Sequence, residues 1–206
     1  FRSAHRTVNP GALGIVDGPA SQFGDVGPLV DRVRQQFRGL QDLPFDVQTG
    51  TGPGFAEVFP QEESRSPNPG VDTIQLRRPE LSDREQEAVI LGEAMHFLPL
   101  RNRQFNDLKQ EFVRKMRPEQ LNVVRSMHEE NKVRNNDPRS FDEFNQQSGA
   151  DAFIRDFVFQ STGAVPGGKG FVSGVGPIGG AFFKEQIPVL RQIVEFLNKG
   201  PRTGVR

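Results

Sequence analysis

Residues 88–100, AVILGEAMHFLPL, set the strongest constraint on how this chain folds. Ser82 and Glu85 stand three apart just before the run, an S-x-x-E capping box that opens a helix. The spacing predicts a helix over 83–98. A helix this apolar is buried over most of its surface, so the remaining elements must be arranged around it. Two polar residues interrupt it, Glu93 and His96, and their separation of three places them on one helix face. Gly92 precedes them. Glycine costs about 1 kcal/mol relative to alanine inside a helix, so something other than helix stability explains its presence.

The surrounding pattern predicts helix, short strands, then mostly helices. Residues 1–25 hold Gly, Pro and Ser without a period and read as an irregular arm. From Pro28, the residues Leu29, Val30, Val33, Phe37 and Leu40 recur at helical spacing. LPFDVQTG, GFAEVFP and VDTIQL then read as three short strands. After the central helix, FNDLKQEFVRKM and PEQLNVVRSMHEENKVR each read as a helix. Ser140 and Glu143 form a second capping box, opening FDEFNQQSGADAFIRDFVF. A helix from about Lys184 to Lys199 closes the pattern, with Pro188 confining or kinking it. This order is α+β and not the alternation of a doubly wound sheet. It divides the chain into an arm (1–25), a main domain (26–160), a Gly-rich loop (161–183) and a C-terminal helix with its tail (184–206).

Composition narrows the function classes. Twenty-six basic residues balance 26 acidic ones, which leaves no surplus for coating nucleic acid or anionic lipid. Arginines in RRPELSDR and LRNRQ are interleaved or balanced by acids, so nucleic acid is not expected as a partner. No apolar run reaches the roughly 18 residues of a membrane span. FRSAHRTVNP, at the N-terminus, has no Met and no apolar signal core, so the chain is expected to be an excised or processed fragment, and no targeting segment assigns a localisation. The chain has 18 Phe but no Cys, which removes thiol nucleophiles, disulfides and thiolate metal sites. It also lacks Tyr and Trp. The oligomeric state is not set by any of these features.

Two glycine motifs resemble nucleotide loops only in part. GAVPGGKG follows the Walker A spacing up to Lys169, but Gly170 stands where Ser or Thr would ligate magnesium. GVGPIG (174–179) matches G-x-G-x-x-G, yet too little chain follows to complete a βαβ unit. Both read as a turning or flexible glycine segment.

Glu93 and His96 admit three readings. One is a polar edge on a buried helix. A second, a di-iron site built from paired Glu-x-x-His, fails because Arg125, not Glu, stands three before His128. The third is a zinc-hydrolase helix, in which H-E-x-x-H presents two ligands on one face with a Glu beside the metal. Glu93 to His96 fill its last four positions, and Gly92 takes the place of the first ligand. A later helix must add a third ligand, and MHEENKVR offers His128, Glu129 and Glu130, 32–34 residues past His96.

With VDTIQL before AVILGEAMHF and EENKVRNNDPR after it, residues 28–145 resemble a zincin with a glutamate third ligand. The likeness is to the small zinc metallopeptidases found as bacterial type III-secreted effectors and toxin domains, which carry H-E-L-I-H and then E-N-x-x-R. The resemblance implies a zincin-like α+β fold, a zinc cofactor and a protein or peptide substrate. It implies Glu93 as general base, His96 as a zinc ligand and Glu130 as the third ligand, in a secreted effector or toxin domain. Gly92 departs from the pattern and leaves the first ligand missing. His128 is a weak replacement, because residues two apart on a helix point about 200° apart. His5, in the arm, is weaker still. The expectation is a domain that binds zinc weakly and hydrolyses peptides poorly. The alternative is a non-catalytic structural or interaction protein of a phage or secretion system, using the Gly-rich segment as a contact loop. The two diverge on geometry. A metallopeptidase needs Glu93, His96 and Glu130 to converge, whereas the alternative allows them to be scattered or paired with Arg134 or Arg139.

Overall fold

The apolar helix is the axis around which the rest packs. In the computed structural model, which describes residues 25–52, 54–62, 67–162 and 184–201, it forms α2, Asp83–Arg101. Its first turn is tied by the S-x-x-E pair: the Ser82 amide and hydroxyl donate to Glu85 Oε2 at 2.9 and 2.7 Å. Every residue from Ala88 to Met95 is buried. α2 passes through Pro99 and ends three residues later than the sequence predicts. Asn102 then turns the chain and caps α3 (Arg103–Arg114), its Oδ1 accepting from the Phe105 amide at 3.0 Å.

Before α2 come α1 (Gly27–Gln36), with Pro28 in its first turn, and a 3-10 turn at Arg38–Leu40. Three strands follow: β1 (Phe45–Thr49), β2 (Ala56–Phe59) and β3 (Asp72–Leu76). Their spatial order is β1-β3-β2, so the last strand in sequence is central. β1 runs parallel to β3 and β2 antiparallel to it. Ile74 therefore faces Val47 on one side and Val58 on the other, and all three are buried. The far end of α2 is tied to the sheet by Arg101, whose Nε and Nη2 donate to the buried Asp72 carboxylate at 2.8 and 2.7 Å.

The second half is helical. α4 spans Pro118–Asn135 and ends at Asn136 in the left-handed region, φ 49°. Where the sequence predicts one helix after Ser140, the structure has three pieces: α5 (Phe141–Phe144), a π-helical turn (Asn145–Gly149) and α6 (Ala150–Thr162). The break lies where α4 crosses, since a Cβ on Gly149 would stand 2.3 Å from Val124 Cγ1. α7 spans Ile187–Lys199, with Pro188 in its first turn, so the proline confines the helix and does not kink it. Residues 184–186 form a turn. Val189, Leu190, Ile193, Phe196 and Leu197 of α7 join the same core as the sheet and α2. Phe196 meets Phe105 of α3 edge to face, centroids 5.5 Å apart. The molecule is thus an α+β fold in which a small mixed sheet packs on helices and the C-terminal half is mostly helical.

Of the expected segments, the arm to residue 24, His5, GAVPGGKG and GVGPIG lie outside the described residues. Among those described, no helix is long and apolar enough to cross a membrane.

Candidate functional site

The 3.6-residue repeat of α2 brings Glu93 and His96 together on one face. Glu93 is 2% exposed, and its Oε2 lies 3.6 Å from His96 Nε2, an ion-pair separation longer than a hydrogen bond. The other imidazole nitrogen, Nδ1, is 3.0 Å from Oδ2 of Asp151, in the first turn of α6. Asp151 Oδ1 in turn meets the Lys109 ammonium of α3 at 2.6 Å. Lys109 stands on the core face of α3, among Phe105, Leu108 and Phe112, and is itself buried. A chain of charged and polar groups, Lys109–Asp151–His96–Glu93, therefore links three helices through the interior.

Electrostatics favour this arrangement. Burial by itself pushes the Asp151 carboxyl up, but the Lys109 charge and the His96 hydrogen bond outweigh it and hold Asp151 below the usual carboxylate range. An ionised Asp151 on Nδ1 fixes how the ring is turned and directs Nε2 towards Glu93.

Asp151 and Lys109 were not among the residues singled out from sequence. The signal for them is a pair of opposite charges, each on an otherwise apolar helix face, because such residues are seldom buried unless paired.

Gly92 has a packing explanation. A Cβ built there would lie 2.9 Å from Arg155 Cδ and 3.3 Å from Phe159 Cζ, both on α6. Glycine is what lets α6 cross α2 this closely. Beside the crossing is a half-open pocket lined by Phe55, Val89, Gly92, Glu93, Arg155 and Phe159, with room for roughly one water molecule.

The expected third ligand is elsewhere engaged. Glu130 has a side chain 45% exposed and accepts from Arg134 Nη2 at 2.6 Å. His128 is buried at 1% exposure, stacked on Phe144 with centroids 4.9 Å apart. Its Nε2 donates to the Arg139 carbonyl at 2.9 Å, and Nδ1 has no hydrogen-bond partner among the described residues. Asn131 of the E-N-x-x-R element serves the turn after α4, where it donates to Asp137, and Arg139 Nε reaches the same carboxylate at 2.9 Å. Arg139 also holds Asp137 below its ordinary pKa and donates to Ser148 at 2.9 Å.

Among the described residues, no group of three or more His, Asp or Glu side chains forms that could hold a metal ion. Glu93 and His96 are adjacent as the sequence predicts, but Glu130 does not complete a ligand set with them, because it faces solvent and pairs along its own helix. Gly92 offers no side chain at all. The residues expected to hold zinc do not fit it.

No family model matches this chain, and neither a curated protein nor a solved structure matches it.

Proposed function

We propose that this chain is a non-catalytic structural or interaction domain, one that keeps a protease-like helix without its metal. The observation that carries the reading is the surroundings of Gly92. A side chain at the first-ligand position would meet Arg155 Cδ and Phe159 Cζ of α6, 2.9 and 3.3 Å from where its Cβ would stand. Glu130, paired with Arg134, supports it from the other side. The pocket beside Glu93 is water-sized, too small for a peptide side chain. Balanced charge points to a protein partner over a nucleic acid or an anionic membrane.

A metallopeptidase of zincin type is the second reading, and one contact favours it. Carboxylates on the far nitrogen of a metal-binding histidine orient such ligands, and Asp151 stands in that relation to His96. The order α1, three strands with antiparallel β2 at an edge, then α2, agrees with the framework that the resemblance implies.

One experiment separates the two. The purified chain is dialysed against buffer containing zinc and then against zinc-free buffer, and its metal content and hydrolysis of an unfolded protein are measured. The non-catalytic reading expects substoichiometric zinc and no hydrolysis above that of Glu93→Gln. Stoichiometric zinc, with hydrolysis that Glu93→Gln abolishes, establishes the peptidase.

A further inference from the structure

Among the described residues β1 lies at one edge of the sheet, because β3 takes the central place. In a parallel pair, alternate residues turn their N–H and C=O towards the neighbouring strand, and the residues between them point away. The Gly50 amide donates to the Leu76 carbonyl of β3 at 2.8 Å. Gln48 and Asp46 share that direction, so Phe45, Val47 and Thr49 present their backbone to the open edge. Such an edge is a template for another strand, and Phe and Val at alternate positions suit strand pairing.

Side chains of the same chain occupy this edge. Arg34, in the last turn of α1, sets its guanidinium over the Phe45 ring, 4.6 Å from the centroid. From there Nη2 donates to the Phe45 carbonyl at 3.0 Å and to the Leu43 carbonyl at 3.2 Å. The next outward group, the Val47 amide, donates to Oδ1 of Asp46 at 2.9 Å. Aspartate is an uncommon strand residue, and here its other oxygen is held by Gln48 Nε2 at 2.8 Å. The Phe45 carbonyl and the Val47 amide are the two groups that one residue of an added parallel strand would bond. An added antiparallel strand would lose one bond at each of the two residues. Both groups are already engaged, and by charged partners, whose hydrogen bonds are the stronger kind.

We propose that Arg34 and Asp46 form an edge guard, which keeps β1 from pairing with β1 of a second copy of this chain. Two copies related by a two-fold axis would otherwise join antiparallel and continue one sheet across both. The guard has two parts from different elements: a helix side chain closes the acceptors, and a strand side chain closes the donor. It is independent of the chemistry at Glu93 and His96, and it limits how the domain meets other chains.

The test uses the full chain, Arg34→Met, Asp46→Ala and the double variant. Arg34→Met keeps an apolar stem on the Phe45 ring and removes the donors, and Asp46→Ala removes the carboxylate without adding apolar bulk. Together they leave the net charge unchanged, so altered association does not come from charge. Sedimentation over a range of concentrations reads association, amide-I infrared spectra read intermolecular strand pairing, and circular dichroism verifies folding. The double variant is expected to self-associate at a concentration at least about tenfold below that of the native chain, with a new intermolecular β band. In Asp46→Ala the Val47 amide is expected to exchange with deuterium about tenfold faster than in the native chain, a readout that stands even where the double variant does not fold. A folded double variant that associates no more than the native chain would overturn the guard. So would association without the β band, unchanged Val47 exchange in Asp46→Ala, or a native chain that already pairs through β1.

Discussion

Replacing Asp151 by alanine removes the central link of the Lys109–Asp151–His96–Glu93 chain. Lys109, with 5% of its side chain exposed, then loses its 2.6 Å partner and keeps a charge inside the protein. His96 loses its 3.0 Å bond to the carboxylate. Breaking one side of a buried pair costs about 3–5 kcal/mol, against about 0–1 kcal/mol for an exposed pair. For a chain of this size each kcal/mol lowers Tm by about 2–4 °C, so a drop of roughly 6–20 °C is expected. The double variant Asp151→Leu/Lys109→Met removes both charges and should recover most of the loss, since apolar replacement of a buried pair is often neutral. Urea unfolding followed by circular dichroism measures both. The cost also depends on pH in a direction set by the folded state. Asp151 is held below its unfolded value, despite burial, by Lys109 and His96. Its contribution is full above the unfolded pKa of about 3.9 and is lost as pH falls through the lower folded value. The gap between native chain and Asp151→Ala should be widest near neutrality and shrink below about pH 4. A cost under about 1 kcal/mol at pH 7 would refute the view that this network holds the helices together.

Two further outcomes test other parts of the fold. Asp156 is 1% exposed, and burial, opposed by Arg155, pushes its pKa up to about 6. The folded state therefore binds this proton more tightly than the unfolded state does, and the penalty for ionising it is absent near pH 4 and full above about pH 6. Asp156→Asn should raise stability at pH 7 by about 1–3 kcal/mol and give no gain at pH 4; a less stable Asn variant at pH 7 would mean that contacts to the carboxylate outweigh its desolvation. Gly39→Ala tests the docking of α7, because the added Cβ would lie 2.7 Å from the Phe196 carbonyl oxygen and 3.0 Å from Leu197 Cα. Backbone does not step aside easily, so a loss of about 1–3 kcal/mol is expected in urea unfolding, and an unchanged midpoint would contradict this packing.

Local chemistry made much of the fold legible. Both capping boxes form, at Ser82 and at Ser140, because the partners lie three residues apart and need nothing from the rest of the chain. The three strands and the main helices follow from period alone. Strand order did not, since β3 becomes central only when β1 and β2 both pair with it. The π-helical turn was not visible in NQQSG either, because it marks where Val124 of α4 meets Gly149.

By itself, the sequence determined that Glu93 and His96 share one face of a buried helix, a consequence of 3.6 residues per turn. It also determined that Gly92 carries no ligand. Only the tertiary structure decided what surrounds them. Asp151 lies 55 residues beyond His96, and no spacing rule says which later helix crosses α2. Glu130, which the motif pointed to, turned out to pair with its own neighbour four residues on. The meaning of Gly92 changed for the same reason: read along the chain it stands where the resemblance expects a histidine, and read in space it is where α6 comes close enough for Arg155 to lie against α2. Contacts within one helix turn are set by the backbone, whereas contacts between helices are set by how all the apolar faces pack at once.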